Sequence, residues 1–125
     1  MSSELNPETM TVEDVTRHAA QLLSDRQAKD IVILDVEDLL GYTDFCVIVS
    51  ARNERHIQAL SNFLERNMRD LGLRSLSREG IKNQKWSVSD YGDFVVHIFE
   101  VEERTLYDLE GLWHEADQLD FEADP

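Results

Sequence analysis

The sequence predicts an α/β fold, with a mixed β-sheet of about five strands flanked by helices. Three observations predict it. Two short runs rich in β-branched residues, 31–36 and 45–49, are typical of strands buried on both faces. The segment 54–71 repeats apolar residues three and four positions apart, as an amphipathic helix does. The runs 86–90 and 94–99 are separated by a short turn, which indicates a hairpin.

A first helix is predicted over 11–27. Thr11 suits the N-cap position, and Asp14 follows three residues later as in a capping box. The apolar residues that follow at helical spacing are Val12, Val15, Ala19, Leu22 and Leu23. The residues before this helix, 1–10, are expected to form a flexible N-terminal tail.

The middle of the chain contains turn residues at the expected places. Gly41 to Thr43 indicates a turn between the first two strands, and Asn53 suits the N-cap of the long helix. Residues 74–84 predict a short strand and then a loop that includes Lys82 and Asn83.

A last helix is predicted over Thr105 to Leu119, with one apolar side formed by Leu106, Leu109, Leu112, Trp113 and Ala116. We therefore expect one domain at 11–119 and an acidic C-terminal tail at 120–125. The length of 125 residues fits one domain of this kind.

The chain is strongly acidic, with 12 basic and 26 acidic residues and a net charge of -14. This balance argues against direct, sequence-specific binding of nucleic acid, because phosphate contacts need clustered Lys and Arg. A basic protein partner would be favoured by complementary charge. The alternative is that the acidity only aids solubility.

The sequence predicts a cytoplasmic protein that makes no membrane contact. The N-terminal residues lack the basic and apolar blocks of a signal peptide, and no apolar run reaches the roughly 18 residues of a membrane span. Cys46 is the single cysteine, so an intramolecular disulfide is excluded. Its place in an apolar strand indicates a core thiol.

Asp35 and Glu37 are the first candidates for chemistry, because paired carboxylates at a strand end can hold Mg²⁺. A metal-dependent nucleotidyltransferase is therefore the alternative function. It would also need a glycine-serine loop before the pair to hold phosphates, and none is present. Asp90 and Asp93 flank a turn, where aspartates commonly bond their own backbone. We expect no catalytic residue, no metal site and no cofactor.

The histidines form no zinc-binding motif. His97 lies between Val96 and Ile98 in a predicted strand, and a hydrogen-bonded histidine within the sheet is favoured over a catalytic base.

The aromatic residues are the better candidates for a binding site, because Trp and Tyr bury a large area and retain a polar group. Trp113 on the apolar side of the last helix is expected in the core. For Trp86 and Tyr91, an exposed binding role and burial in the core both remain open.

Several short motifs occur in a recognisable order. They are Gly41-Tyr42-Thr43-Asp44-Phe45-Cys46-Val47-Ile48, Asn53-Glu54-Arg55-His56-Ile57-Gln58-Ala59-Leu60, Glu79-Gly80, Trp86, Asp90-Tyr91-Gly92-Asp93, Val95-Val96-His97 and Tyr107-Asp108-Leu109-Glu110 with Leu112-Trp113. Together they resemble the ribosomal silencing factor (Iojap-like) family over about residues 12–114. Each motif alone would be weak, and the combination is specific.

The resemblance implies a fold similar to that of the nucleotidyltransferase superfamily, without transferase activity. It implies binding to the large ribosomal subunit through large-subunit ribosomal protein number fourteen, a steric block of association with the small subunit, and repression of translation. It also implies that the protein forms homodimers, as several members do.

Placed on this chain, the resemblance and the aromatic pattern together give a candidate partner-binding site. Its expected members are Trp86, Asp90, Tyr91, Gly92, Asp93, Tyr107, Leu109 and Trp113. Trp86, Tyr91 and the turn between Asp90 and Asp93 are the expected contacts, with Leu109 and Trp113 supporting them from beneath.

Overall fold

The computed structural model describes residues 8–81 and 84–125. Most of the predicted tail, 1–7, and the predicted loop residues Lys82 and Asn83 lie outside this range. The elements in chain order are α1 (Val12–Asp25), β1 (Lys29–Asp35), α2 (Glu37–Leu40), β2 (Phe45–Ala51), α3 (Glu54–Asp70), β3 (Ser77–Ile81), β4 (Trp86–Asp90), β5 (Phe94–Glu100), α4 (Val101–Tyr107), α5 (Leu109–Leu112) and β6 (Asp117–Gln118).

The strands form one mixed sheet in the order β3-β4-β5-β2-β1-β6, which confirms the predicted fold class. The central strands β2 and β5 pair in parallel, and the other neighbours pair antiparallel. The predicted hairpin is β4 and β5. The sheet has six strands, because the two-residue strand β6 pairs with the end of β1 and gives no periodic signal in sequence.

Helices α1 and α3 cover one face of the sheet, which we call the helical face. Both begin as predicted: Thr11 and Asp14 form a capping box, and the Asn53 side chain accepts from the backbone of His56 at 2.8 Å. Their apolar sides pack on alternate residues of the strands. The fully buried residues of this core include Leu23, Ile33, Val47, Leu60, Leu64, Met68, Val96 and Ile98.

The opposite face, which we call the C-terminal face, is covered by the segment from α4 to α5. The single long helix predicted over 105–119 is wrong. Asp108 adopts a left-handed conformation with φ 47°, so the helix ends there and α5 starts in a new direction. The predicted apolar side is divided as a result: Leu109 is buried, whereas Leu106 and Leu112 are exposed.

The last seven residues follow α1. The backbone N–H of Leu119 donates to Ile33, and Arg17 donates to the carbonyl of Asp120 at 2.7 Å. Gln21 and the backbone of Asp124 exchange two hydrogen bonds. Leu119 and Phe121 pack against the core of the helical face. These contacts fasten the C-terminal residues to α1 and β1.

Candidate functional site

Five rings meet on the C-terminal face, and we call them the aromatic cluster: Trp86, His97, Phe99, Tyr107 and Trp113. The Trp86 ring stacks on Phe99 with centroids 4.7 Å apart and lies 4.8 Å from Tyr107. His97 lies 6.0 Å from Trp113 in an edge-on contact. Phe99 is fully buried, and the three larger rings are half-buried. The cluster therefore has a closed base and an accessible outer side.

His97 connects the cluster by a hydrogen bond. The indole N–H of Trp86 donates to Nδ1 of His97 at 3.2 Å. This bond requires an unprotonated Nδ1, so the neutral ring carries its proton on Nε2. Burial lowers the pKa of His97 to about 4, which keeps the ring neutral near pH 7. The prediction of a hydrogen-bonded histidine within the sheet is confirmed.

Arg104 holds the segment that carries Tyr107 and Trp113. Its guanidinium donates through Nε and Nη2 to the two carboxylate oxygens of Glu110, both at 3.0 Å, and through Nη1 to Oγ of Ser50 at 2.9 Å. Only 11% of the arginine side chain is exposed. A two-point contact of this kind fixes orientation as well as distance. It therefore fastens α4 and α5 to β2.

Asp108 reverses the chain between the two short helices. Its carboxylate accepts from the backbone N–H of Gly111 at 3.1 Å and so caps α5. Leu109 follows and enters the core with Leu34 and Val36. The chain therefore turns toward the sheet within the Tyr107-Asp108-Leu109-Glu110 motif.

Exposed apolar side chains border the aromatic cluster. Leu106 precedes Tyr107 and is 72% exposed, and Leu112 precedes Trp113 and is 67% exposed. Single exposed leucines are common on soluble proteins, but here each exposed leucine is next in sequence to a half-buried aromatic residue of the cluster, so this segment is rich in accessible apolar surface. Such a region is typical of a protein-binding surface.

Tyr91 lies on the other side of the sheet from Trp86. Its ring stacks on Phe94 at 5.1 Å and packs against the core of the helical face. Burial and the nearby carboxylate of Glu65 raise the pKa of its phenol to about 12, and its buried hydroxyl has no hydrogen-bond partner among the described residues. Trp86 and Tyr91 are separated by five positions, and an odd separation along a strand places side chains on opposite faces.

The turn between Asp90 and Asp93 lies at the edge of the sheet. Asp90 accepts from the backbone N–H of Gly92 at 2.8 Å, and Gly92 has φ 87°, a conformation that favours glycine. Asp93 is exposed. Of the eight predicted site residues, the structure therefore brings Trp86, Tyr107, Leu109 and Trp113 together and places the turn and Tyr91 elsewhere.

His97, Phe99 and Arg104 complete the site but are absent from the predicted set. Strand parity provides a signal for the first two, since Phe99 pairs with Trp86 and His97 shares its face of β5. No comparable signal exists for Arg104, because its partner Glu110 lies beyond the unpredicted break at Asp108.

The other candidates for chemistry have structural roles. The backbone N–H of Glu37 donates to the carboxylate of Asp35 at 3.2 Å, as in a turn. Among residues 8–81 and 84–125, no group of three His, Cys, Asp or Glu side chains is arranged to hold a metal ion. Cys46 is buried as expected of a core thiol, and burial raises its pKa to about 12. None of the helices in these ranges is long and apolar enough to cross a membrane.

Acidic side chains collect at one edge of the sheet, where β1 ends and β2 and β5 begin. We call this the acidic edge: Asp35, Asp44, Asp90, Asp93 and Asp117. The register places Asp35 beside Asp117, and the backbone of Asp44 donates to the carbonyl of Asp93 at 3.0 Å. The topology thus gathers acids that are distant in sequence.

Comparisons with known proteins agree on one family. A family model described as "Ribosomal silencing factor during starvation" matches residues 9–125. "Ribosomal silencing factor RsfS" of Bacillus subtilis is 30% identical over 113 residues, which cover 90% of this chain and 96% of that protein. "Protein Iojap, chloroplastic" of Zea mays is 33% identical over 108 residues, covering 84% of this chain and 46% of that protein.

A solved structure has the same fold. The crystal structure of a protein from Chromobacterium violaceum superposes with a TM-score of 0.80 at 27% identity, covering 92% of this chain and 95% of that chain.

Proposed function

Because the chain belongs to the ribosomal silencing factor family, we propose that it binds the large ribosomal subunit through large-subunit ribosomal protein number fourteen. Bound there, it blocks association with the small subunit sterically and represses translation. In this proposal the protein acts by binding in the cytoplasm and not by catalysis.

The observation that carries the proposal is the aromatic cluster with its exposed leucines. Trp86, Tyr107 and Trp113 keep part of their rings accessible while their bases are fixed by Phe99 and His97. Rigid aromatic side chains lose little conformational freedom on binding and often provide most of the interface energy. This surface is therefore the proposed contact with the partner protein.

The acidic edge supports the same partner class. Ribosomal proteins that contact RNA are basic, and a surface of five carboxylates would attract such a protein and repel bare RNA. Complementary charge mainly raises the association rate and selects the partner. The affinity itself is expected from the aromatic cluster.

The size of the domain supports a steric mechanism. A chain of 125 residues has a radius of gyration of about 14 Å when compact. A body of that size seated on the joining surface of one subunit keeps the other subunit out of contact distance. No moving part is required.

The proposal is tested by cosedimentation with purified large subunits and by titration against isolated protein number fourteen. Leu112→Ser removes an exposed apolar contact beside Trp113. It is expected to weaken binding to both by roughly tenfold, the scale of a moderate interface contact. Val101→Ser is the matched control, since Val101 is 58% exposed and lies at the far end of α4. Loss of binding by the control, or none by Leu112→Ser, would contradict the assignment of the surface.

We also propose that the protein forms homodimers, as the family resemblance implies. A second copy would compete with the ribosome if it used the aromatic cluster. Analytical ultracentrifugation of the parent and of Leu112→Ser measures dimerisation. If the dimer uses the aromatic cluster, the substitution weakens dimerisation as well as ribosome binding. If the dimer uses another surface, only ribosome binding is weakened.

A further inference from the structure

We propose that a second surface of this protein binds the phosphate backbone of ribosomal RNA while the aromatic cluster is docked on its protein partner. The surface, which we call the basic corner, consists of Arg26, Lys29, Arg52, Arg55 and Arg66. The inference rests on the proposed function, because it concerns how the protein is seated on the large subunit.

The fold gathers these residues from four separate elements. Arg26 caps the end of α1, Lys29 opens β1, and Arg52 joins β2 to α3. Lys29 pairs with Ser50, which places it next to the end of β2. All five basic side chains belong to exposed residues. The corner lies at the edge of the sheet opposite the acidic edge, because β1 begins here and ends there.

A buried histidine fixes two of these segments relative to each other. The backbone N–H of Arg52 donates to Nδ1 of His56 at 3.0 Å, and Nε2 of the same ring contacts the carbonyl of Arg26 at 2.9 Å. His56 is only 6% exposed. The backbone at Arg26 and at Arg52 is thus held on either side of one imidazole ring, so the corner is built on rigid elements.

Phe63 positions the guanidinium groups along α3. The guanidinium of Arg26 lies 4.2 Å from the centre of the Phe63 ring, and that of Arg66 lies 5.9 Å from it. A guanidinium held against a ring by cation–π attraction keeps N–H donors available for another ligand. Arg55 and Arg66 are eleven residues apart, about three helical turns, and so lie on one side of α3 about 16 Å apart.

These cations have no carboxylate partners among the described residues. The ion pairs within residues 8–81 and 84–125 involve Arg17, Arg69, Arg78 and Arg104, and none involves the basic corner. The chain has 26 acidic residues against 12 basic ones. Five exposed cations outside these ion pairs therefore remain available at this corner to bind an external anion.

The strength of the surface is limited by acidic residues at the same end of the sheet. Asp25, Asp30 and Glu54 adjoin its cations in sequence and are exposed, and Glu100 pairs with Ala51 beside Arg52. The excess of basic over acidic groups at the corner is small, so binding to free RNA is expected to be weak. Weak binding to free RNA agrees with the expectation, drawn from the net charge, that the protein does not bind nucleic acid directly and sequence-specifically. The contact becomes effective when the docked protein holds the corner beside RNA, as for two linked sites.

In the proposed function the anion beside the corner is expected to be the phosphate of ribosomal RNA, which arginine binds as readily as it binds a carboxylate. Four of the five residues are arginines, whose planar groups donate two parallel hydrogen bonds to a phosphate. The acidic edge and the basic corner lie at opposite ends of the strands. A ribosomal surface made of basic protein and anionic RNA would therefore favour one orientation of the protein.

The test compares two double variants with the same change of net charge. Arg52→Gln with Arg55→Gln removes two cations of the corner. Arg69→Gln with Arg74→Gln removes two exposed cations at the opposite end of α3 and beyond it. Binding to intact large subunits and to isolated protein number fourteen is measured between about 50 and 200 mM salt, the range over which phosphate contacts lose affinity.

The corner variant is expected to bind intact subunits several-fold more weakly at low salt. The slope of log affinity against log salt should fall by about two, roughly one for each phosphate contact removed. Its binding to the isolated protein should be unchanged, and the control pair should keep the parental slope. An unchanged slope, or an equal loss on the isolated protein, would overturn the inference while leaving the proposed function intact. If the parent itself binds no subunits, the proposed function fails and the inference fails with it.

Discussion

The indole N–H of Trp86 donates to Nδ1 of His97 from a diagonal position on the neighbouring strand, with 3.2 Å between the two nitrogens. This bond fixes both the rotation of the indole and the tautomer of the imidazole. Because Trp86 also stacks on Phe99, its ring is held on two sides before any partner arrives. In the proposed function, the cluster is therefore preorganised for binding.

Trp86→Phe is expected to destabilise the fold by about 1–2 kcal/mol, because it leaves Nδ1 of the buried His97 without its donor. Trp86→Ala should further weaken binding to large subunits by at least about 2 kcal/mol, the scale of an anchor truncation. Urea denaturation gives the first value, and cosedimentation of the folded fraction gives the second. A folded Trp86→Ala protein that binds as tightly as the parent would remove Trp86 from the site.

Stability should fall as the pH is lowered from about 6.5 to about 4. The pKa of His97 is about 4 in the folded protein and about 6.5 when unfolded, so the unfolded state binds more protons across that window. The contribution of His97 is complete above the window and amounts to about 3 kcal/mol. Because carboxylates also titrate there, the parent is compared with His97→Phe by urea denaturation at several pH values. The variant should show a shallower dependence, and parallel curves would refute this role of His97.

Arg104→Ala should cost about 2 kcal/mol, because Glu110 and Ser50 lose their charged donor and Arg104 is largely buried. Hydrogen exchange should rise first in residues 101–118 and leave α1 and α3 protected. Arg104→Lys should restore little, since an ammonium cannot bond both oxygens of Glu110 in one plane. Full rescue by lysine would mean that charge alone matters at this position.

Asp108 is expected to tolerate glycine better than alanine. Glycine adopts the observed φ of 47° without strain and loses only the cap on Gly111, whereas alanine loses the cap and keeps the strain. The difference should be about 1 kcal/mol in favour of Asp108→Gly. Thermal unfolding of the two variants measures it, and equal midpoints would show that the left-handed turn carries no strain.

Much of the fold could be predicted from sequence where the local pattern and the tertiary structure agree. The continuous apolar run of β2 is buried at every position, and the periodicity of 54–71 matches α3 with its Asn53 cap. The prediction failed at Asp108, because a single left-handed residue interrupts a helix without interrupting its apolar spacing. It also missed β6, whose two residues pair only because β1 offers a free edge.

The candidate site was predictable in part for a similar reason. Residue type identified Trp86, Tyr107 and Trp113, and the fold brings them together. Residue type alone also grouped Tyr91 with Trp86 in one predicted site, although their side chains lie on opposite faces of the sheet. The basic corner was hidden by the net charge of -14, because that sum cannot show how charges are distributed over the folded surface.

The central claim is tested most directly by a subunit-joining assay. Purified large subunits are incubated with the protein, small subunits are added, and the joined fraction is measured by light scattering. The proposal predicts that the parent and Val101→Ser prevent joining at near-stoichiometric amounts, and that Leu112→Ser requires roughly tenfold more protein. Normal joining while the parent protein sediments with the large subunit would contradict the steric mechanism.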